Sequence, residues 1–168
     1  IIMVSDTSRA VESNLESIKH ELCTNEKLAE HFPHIVGEGK KWKKEEIDTT
    51  NNVRISALGS GKQFRGSQKK GAIRPDLVLL DDMENDENVL TKGQREKLEE
   101  WFVKVILGMS GAEEVNNSSK MDVVVTGTIL HPKSLLSKLL SKGEYMGWEK
   151  HRFKAVYQSS KSPLWQKW

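Results

Sequence analysis

The chain has 168 residues, 36% of them hydrophobic and 30% charged, with a formal net charge of +2. That length suits one domain with a real core, and no apolar run approaches the thickness of a membrane. The single cysteine, Cys23, excludes an internal disulfide and a Cys-rich zinc site and points to a reducing compartment.

Ile1–Val4 reads as a buried strand rather than a signal peptide, and a chain that opens inside a strand is expected to be a piece of a longer protein. Ser5-Asp6-Thr7-Ser8 supplies N-cap residues. Val11, Leu15, Ile18 and Leu22 then recur at helical spacing. A shorter helix is expected near Asn25 to His31, ended by Phe32-Pro33. Residues 37–46 form a polar loop in which Lys40, Lys41, Lys43 and Lys44 read as a solvated face. Two short strands are expected between Ile47 and Leu58, turning at Asn51-Asn52, with Val53, Ile55 and Ala57 on one face. Residues 59–71 are rich in glycine and carry Lys62, Arg65, Lys69 and Lys70, a composition suited to phosphate or nucleic-acid contact.

Arg74-Pro75-Asp76 leads into Leu77-Val78-Leu79-Leu80, an apolar run that predicts a strand buried on both faces of a parallel sheet. Pro75 is tolerated at the start of such a strand and not in its middle. Asp81 and Asp82 follow, with Glu84, Asp86 and Glu87 close behind. Ligands of parallel α/β sheets bind beyond the carboxyl ends of the strands, where a carboxylate is a hard oxygen ligand for Mg²⁺ and a second one orients water. The ordinary alternative is a buried strand followed by an acidic, solvated turn.

Thr91-Lys92-Gly93-Gln94 is a capping box. The helix after it carries Leu98, Trp101, Phe102, Val105, Ile106 and Met109 on one side, which makes Trp101 and Phe102 core residues rather than a base-stacking platform. Residues 110–120 read as a loop. Asp122–Thr128 reads as a second strand buried on both faces, ending in Thr126-Gly127-Thr128. Pro132 opens a helix with Leu135, Leu136, Leu139 and Leu140 on its apolar face and Gly143 at its end. Trp148 to Val156 suggests a last strand. The histidines show no metal-ligand spacing. These elements predict an α/β fold: a mainly parallel sheet with crossover helices. Its functional rim should collect Ser5, Asp6, Asp81, Asp82, Glu84, Thr126 and Thr128.

Four features, in order, resemble the ATPase domain of tailed-bacteriophage terminase large subunits. They are the strand 1–5 with the helix Arg9 to Glu21; Phe64-Arg65-Gly66 ahead of Arg74–Asp82, which has the Walker B pattern; Val124–His131 with Ser134-Leu135-Leu136, similar to the coupling motif; and Ser162-Pro163-Leu164-Trp165. The resemblance implies a P-loop NTPase-like fold, with residues 1–158 a partial ATPase domain and 159–168 a linker towards a nuclease domain. It implies ATP hydrolysis coupled to translocation of double-stranded DNA into a procapsid, with ATP and Mg²⁺ as cofactors. By residue, it implies Asp81 as the metal ligand, Asp82 or Glu84 as the water-positioning acid, and Arg65 as an arginine finger. Thr126 and Thr128 would sense the γ-phosphate, and Arg74 would be a further nucleotide contact and the runner-up finger. The implied partners are the portal protein, the small terminase subunit and further copies of the chain, in the host bacterial cytoplasm and transiently on the procapsid, away from any membrane.

The sequence departs from that pattern in two ways. No stretch matches a Walker A loop, since Lys62 is followed by Gln63 and Lys40 by Lys41 where Ser or Thr is needed. The resemblance would put that loop before Ile1 and the nuclease after Trp168, so the piece alone is expected to have little ATP affinity. Asp82 stands where the wider family has Glu. Two other functions are kept open: a metal-dependent nuclease using Asp81, Asp82, Glu84 and Asp86, and a non-catalytic nucleic-acid or subunit-binding domain using residues 62–74.

Overall fold

A computed structural model describes residues 1–62, 75–110, 121–141, 143 and 145–154. Five strands form one sheet: β1 (Ile2–Ser5), β2 (Glu46–Asp48), β3 (Arg54–Gly59), β4 (Leu77–Asp81) and β5 (Asp122–Thr126), in the order β2-β3-β1-β4-β5. β1 runs parallel to both β3 and β4, and β4 parallel to β5; only β2 is antiparallel, paired with β3. The expected mainly parallel α/β architecture is therefore present. The β2–β3 turn passes through Asn52 at a φ of +65°, a conformation Asn tolerates better than most residues.

Helices cover both faces. α1 (Ser8–Thr24) starts where Thr7 accepts a hydrogen bond from the Ala10 amide at 3.2 Å, and α2 (Glu26–His31) starts at Asn25. Leu15, Ile18 and Leu22 of α1 pack on Met3, Ile47, Ile55 and Ala57. The other face carries Ile2, Val4, Leu58, Val78 and Leu80. It is covered by α4 (Lys92–Trp101), by the π-helical turn Phe102–Ile106 and 3-10 turn Leu107–Ser110 that continue it, and by α5 (Leu135–Leu139). Phe102 is fully buried there, edge-on to Tyr145 at 6.1 Å and tilted against Trp148 at 6.0 Å. Burying a phenyl ring contributes about 1.5–3 kcal/mol. Trp101 is buried as expected, with its indole N–H donated to the Lys62 carbonyl at 2.7 Å.

Several expectations are corrected. β5 is not buried on both faces: Val123 and Val125 are half-buried while Val124 is 46% exposed, because among the described residues β5 pairs only with β4. The acidic stretch after β4 is not only a solvated turn but contains a short helix, α3 (Asp86–Leu90), closed by a capping box between Asn85 and Asn88. α5 begins at Leu135 with Ser134 as its N-cap, so Pro132 precedes the helix. Val53 is exposed and lies outside β3. Residues 148–154 form no strand. The expected loops at 63–74 and 111–120, and the linker at 159–168, lie outside the described residues.

Candidate functional site

The four parallel strands end along one rim. Ser5 closes β1, Gly59 closes β3, Asp81 closes β4 and Thr126 closes β5. The register puts Asp81 opposite Thr126, and the Thr126 hydroxyl donates to Asp81 Oδ1 at 2.7 Å. The next backbone link is Asp82 N–H to the Thr126 carbonyl at 3.1 Å, which carries the β4–β5 ladder one residue past the strand. Asp82 holds a φ of +43°. That left-handed bend turns the chain sharply out of the sheet and leaves both aspartates exposed.

The rim is tied together beyond these two strands. Ser60 donates its backbone N–H to the Ser5 carbonyl and its hydroxyl to the Asp6 carbonyl, at 2.8 and 2.9 Å. The Asp6 carboxylate accepts from the Thr7 amide at 2.6 Å and, more weakly, from the Asn85 side chain at 3.4 Å. Asn85 thus joins β1's end to the bend after β4. Sequence reasoning placed Asp6 on the rim but missed Asn85 and Ser60; the Asn85-x-x-Asn88 spacing was the available signal for the former.

Glu84 differs from its neighbours. It is only 8% exposed. Its two carboxylate oxygens accept from the backbone N–H groups of Leu135 and Leu136 at 2.7 and 3.2 Å. A carboxylate at a helix start satisfies amides that have no partner within the helix and opposes the positive end of its dipole. Glu84 is thereby engaged by α5, whereas Asp82 remains on the open side. Asp82, Glu84, Thr126, Gly127 and Thr128 line one small cavity, with Met83 and Leu136 as its floor, of about 10 Å³, room for roughly one water. Gly127 keeps the cavity open on that side: an added Cβ would sit 3.3 Å from Asp82 Oδ1 and 3.5 Å from Leu136 Cδ2.

Asp81, Asp82, Glu84, Thr126 and Thr128 are therefore brought together. Arg65 and Arg74 lie outside the described residues. Asp86 has moved into the first turn of α3. Among the described residues no group of three or more His, Cys, Asp or Glu could hold a metal. The donor set at the rim is two exposed neighbouring carboxylates, which fits Mg²⁺, an ion that takes one or two protein carboxylates and completes its shell with water and phosphate. A larger groove of about 470 Å³ runs between α4 and α5, with Lys92, Arg95, Lys133 and Lys138 on its walls. Lys138 there pairs with Glu99 and Lys92 with Glu96. No helix among the described residues is long and apolar enough to cross a membrane. Comparison with protein-family models, with curated proteins and with solved structures returned no match.

Proposed function

We propose that this chain is part of a P-loop NTPase-like motor domain of the terminase type, which hydrolyses ATP with Mg²⁺ to move double-stranded DNA. The observation that carries the reading is the parallel strand β4 between two parallel neighbours, ending in Asp81 against the Thr126 hydroxyl and in the bend at Asp82. Asp81 is the carboxylate that holds the ion, oriented by Thr126. When bound, Mg²⁺ would neutralise charge on the phosphates. Asp82 orients the attacking water, because it is exposed beside the cavity while both oxygens of Glu84 are committed to α5. Phosphoryl transfer is mostly positioning and charge stabilisation, so loss of Asp82 affects turnover more than binding. Walker A and the arginine finger, for which Arg65 is the candidate, complete the site. The motor works in the host cytoplasm on a procapsid, with portal protein, small subunit and sister copies as partners.

The test is ATP turnover by a protein carrying this chain downstream of a Walker A loop. Asp82→Asn is expected to lower kcat by at least a hundredfold with little change in nucleotide affinity, and Arg65→Ala to lower turnover only in the assembled state. Full turnover by Asp82→Asn would refute the assignment. Metal-dependent nicking of DNA by the present chain, lost in Asp81→Asn, would favour the nuclease instead.

A further inference from the structure

Glu84 is a buried carboxylate that the proposed chemistry does not use as an acid. Its partners are 51 and 52 residues away in sequence, at the start of α5. The first three amides of α5 are all satisfied: Leu135 and Leu136 by Glu84, and Ser137 by the side chain of the buried Ser134 at 3.3 Å. Glu84 is therefore half of the cap that starts this helix.

The path from the rim to this cap has little slack. Only Met83 separates Asp82 from Glu84, and Met83 is 2% exposed, fixed in the core. Its carbonyl accepts from the Asn88 side chain at 3.2 Å. Asp82 is pinned on one side by the hydrogen bond its backbone N–H donates to the Thr126 carbonyl and faces Gly127 on the other, where Leu136 converges too. A displacement of the Asp81–Asp82 backbone meets Met83, which is packed, and is passed through it to Glu84 and the helix it holds. Packed cores favour discrete shifts over gradual deformation.

We propose that Glu84 is a positioning residue that latches the amino end of α5 to the bend after β4, so that cation binding at Asp81 and Asp82 is transmitted to the Leu135 and Leu136 amides. The latch rests on the proposed function, which supplies the cation, but makes a separate claim about where its effect travels. α5 is one wall of the groove lined by Lys133 and Lys138, so the latch joins the acidic rim to that groove.

The experiment measures amide hydrogen exchange over residues 131–140 in the whole chain, with Mg²⁺ titrated and its binding followed in parallel by calorimetry. In the wild type, saturation with Mg²⁺ is expected to slow exchange at Leu135 and Leu136 by about tenfold, the scale of a strengthened hydrogen bond to a charged group. Glu84→Gln keeps the shape but replaces one acceptor by a donor. It is expected to exchange faster at both amides without metal, to bind Mg²⁺ within about threefold of wild type, and to lose the exchange response. If it fails to fold, Glu84→Asp keeps the charge with shorter reach and is expected to lose the response in the same way. Heat of Mg²⁺ binding with no change at the two amides, or an unchanged response in both variants, overturns the latch alone. Absence of any Mg²⁺ binding overturns the metal site of the proposed function and, with it, the transmission. A merely structural cap would speed exchange in Glu84→Gln and leave the metal response intact, which also overturns the proposal.

Discussion

Replacing Asp82 separates the backbone role of the bend from the role of its carboxylate. Its φ of +43° puts it in the left-handed region, where a residue bearing a Cβ is strained by roughly 1–2 kcal/mol, less for Asp and Asn whose short polar side chains interact locally. Asp82→Gly and Asp82→Ala both delete the carboxylate, and they differ only by one methyl group. Glycine loses about 0.5–1 kcal/mol through its freer unfolded chain but escapes the left-handed penalty. Asp82→Gly is therefore expected to be more stable than Asp82→Ala by about 1 kcal/mol, the reverse of the usual order in a helix. Asp82→Asn should match the wild type within about 0.5 kcal/mol. Equilibrium unfolding in urea reads this directly: with a slope of roughly 2 kcal/mol per molar, the two midpoints should differ by about 0.5 M. An Ala variant as stable as the Gly variant would refute the left-handed bend at Asp82. The same three proteins serve the metal test, since only Asn preserves the side-chain shape.

Phe102→Ala removes a ring with no exposed surface that touches Tyr145 and Trp148. It is expected to cost about 3–5 kcal/mol in thermal or urea unfolding, against under 0.5 kcal/mol for a change at the exposed Lys92. Gly59→Ala would place a Cβ 2.6 Å from the Ser8 hydroxyl and 2.8 Å from the Ser8 amide. The first turn of α1 must move, so a loss of about 1–3 kcal/mol is expected in the same assay. Asp48 has its pKa lowered from the ordinary 3.8, chiefly by the hydrogen bond from Arg54 at 2.8 Å, and burial opposes the shift. Its contribution to stability is therefore complete above about pH 3.8 and lost as pH falls through the lower folded value. Asp48→Asn should flatten that acid limb in a pH series of unfolding midpoints, and an unaltered limb would remove Asp48 as its source.

The parts of the fold that were legible in the sequence are those fixed by local chemistry. Leu77–Leu80 behind Pro75 announced a parallel strand, and Thr91-x-x-Gln94 marked the start of α4; both are where they were expected. The acid pair at the strand's end follows from the same run. What was not legible depends on neighbours. Val123–Val125 has the composition of a two-sided strand, but sequence cannot say how many strands flank it. The helix α3 was hidden because its first turn lies in Glu84-Asn85-Asp86-Glu87-Asn88, a run of acidic and amide residues that also suits a turn. Glu84 stood beside Asp82 as the alternative water-positioning acid that the resemblance implies, being the nearby longer carboxylate. Its commitment to amides more than fifty positions away is a tertiary fact that no local pattern encodes.

The placement of β5 has a practical consequence. Among the described residues no strand pairs with its outer side, Val124 beside it is bare, and Asp122 is the one charged residue in the strand. Such a margin is a template for one more strand. In purified form the protein should grow less monodisperse as it is concentrated, and a lysine placed at Val124 is the economical remedy.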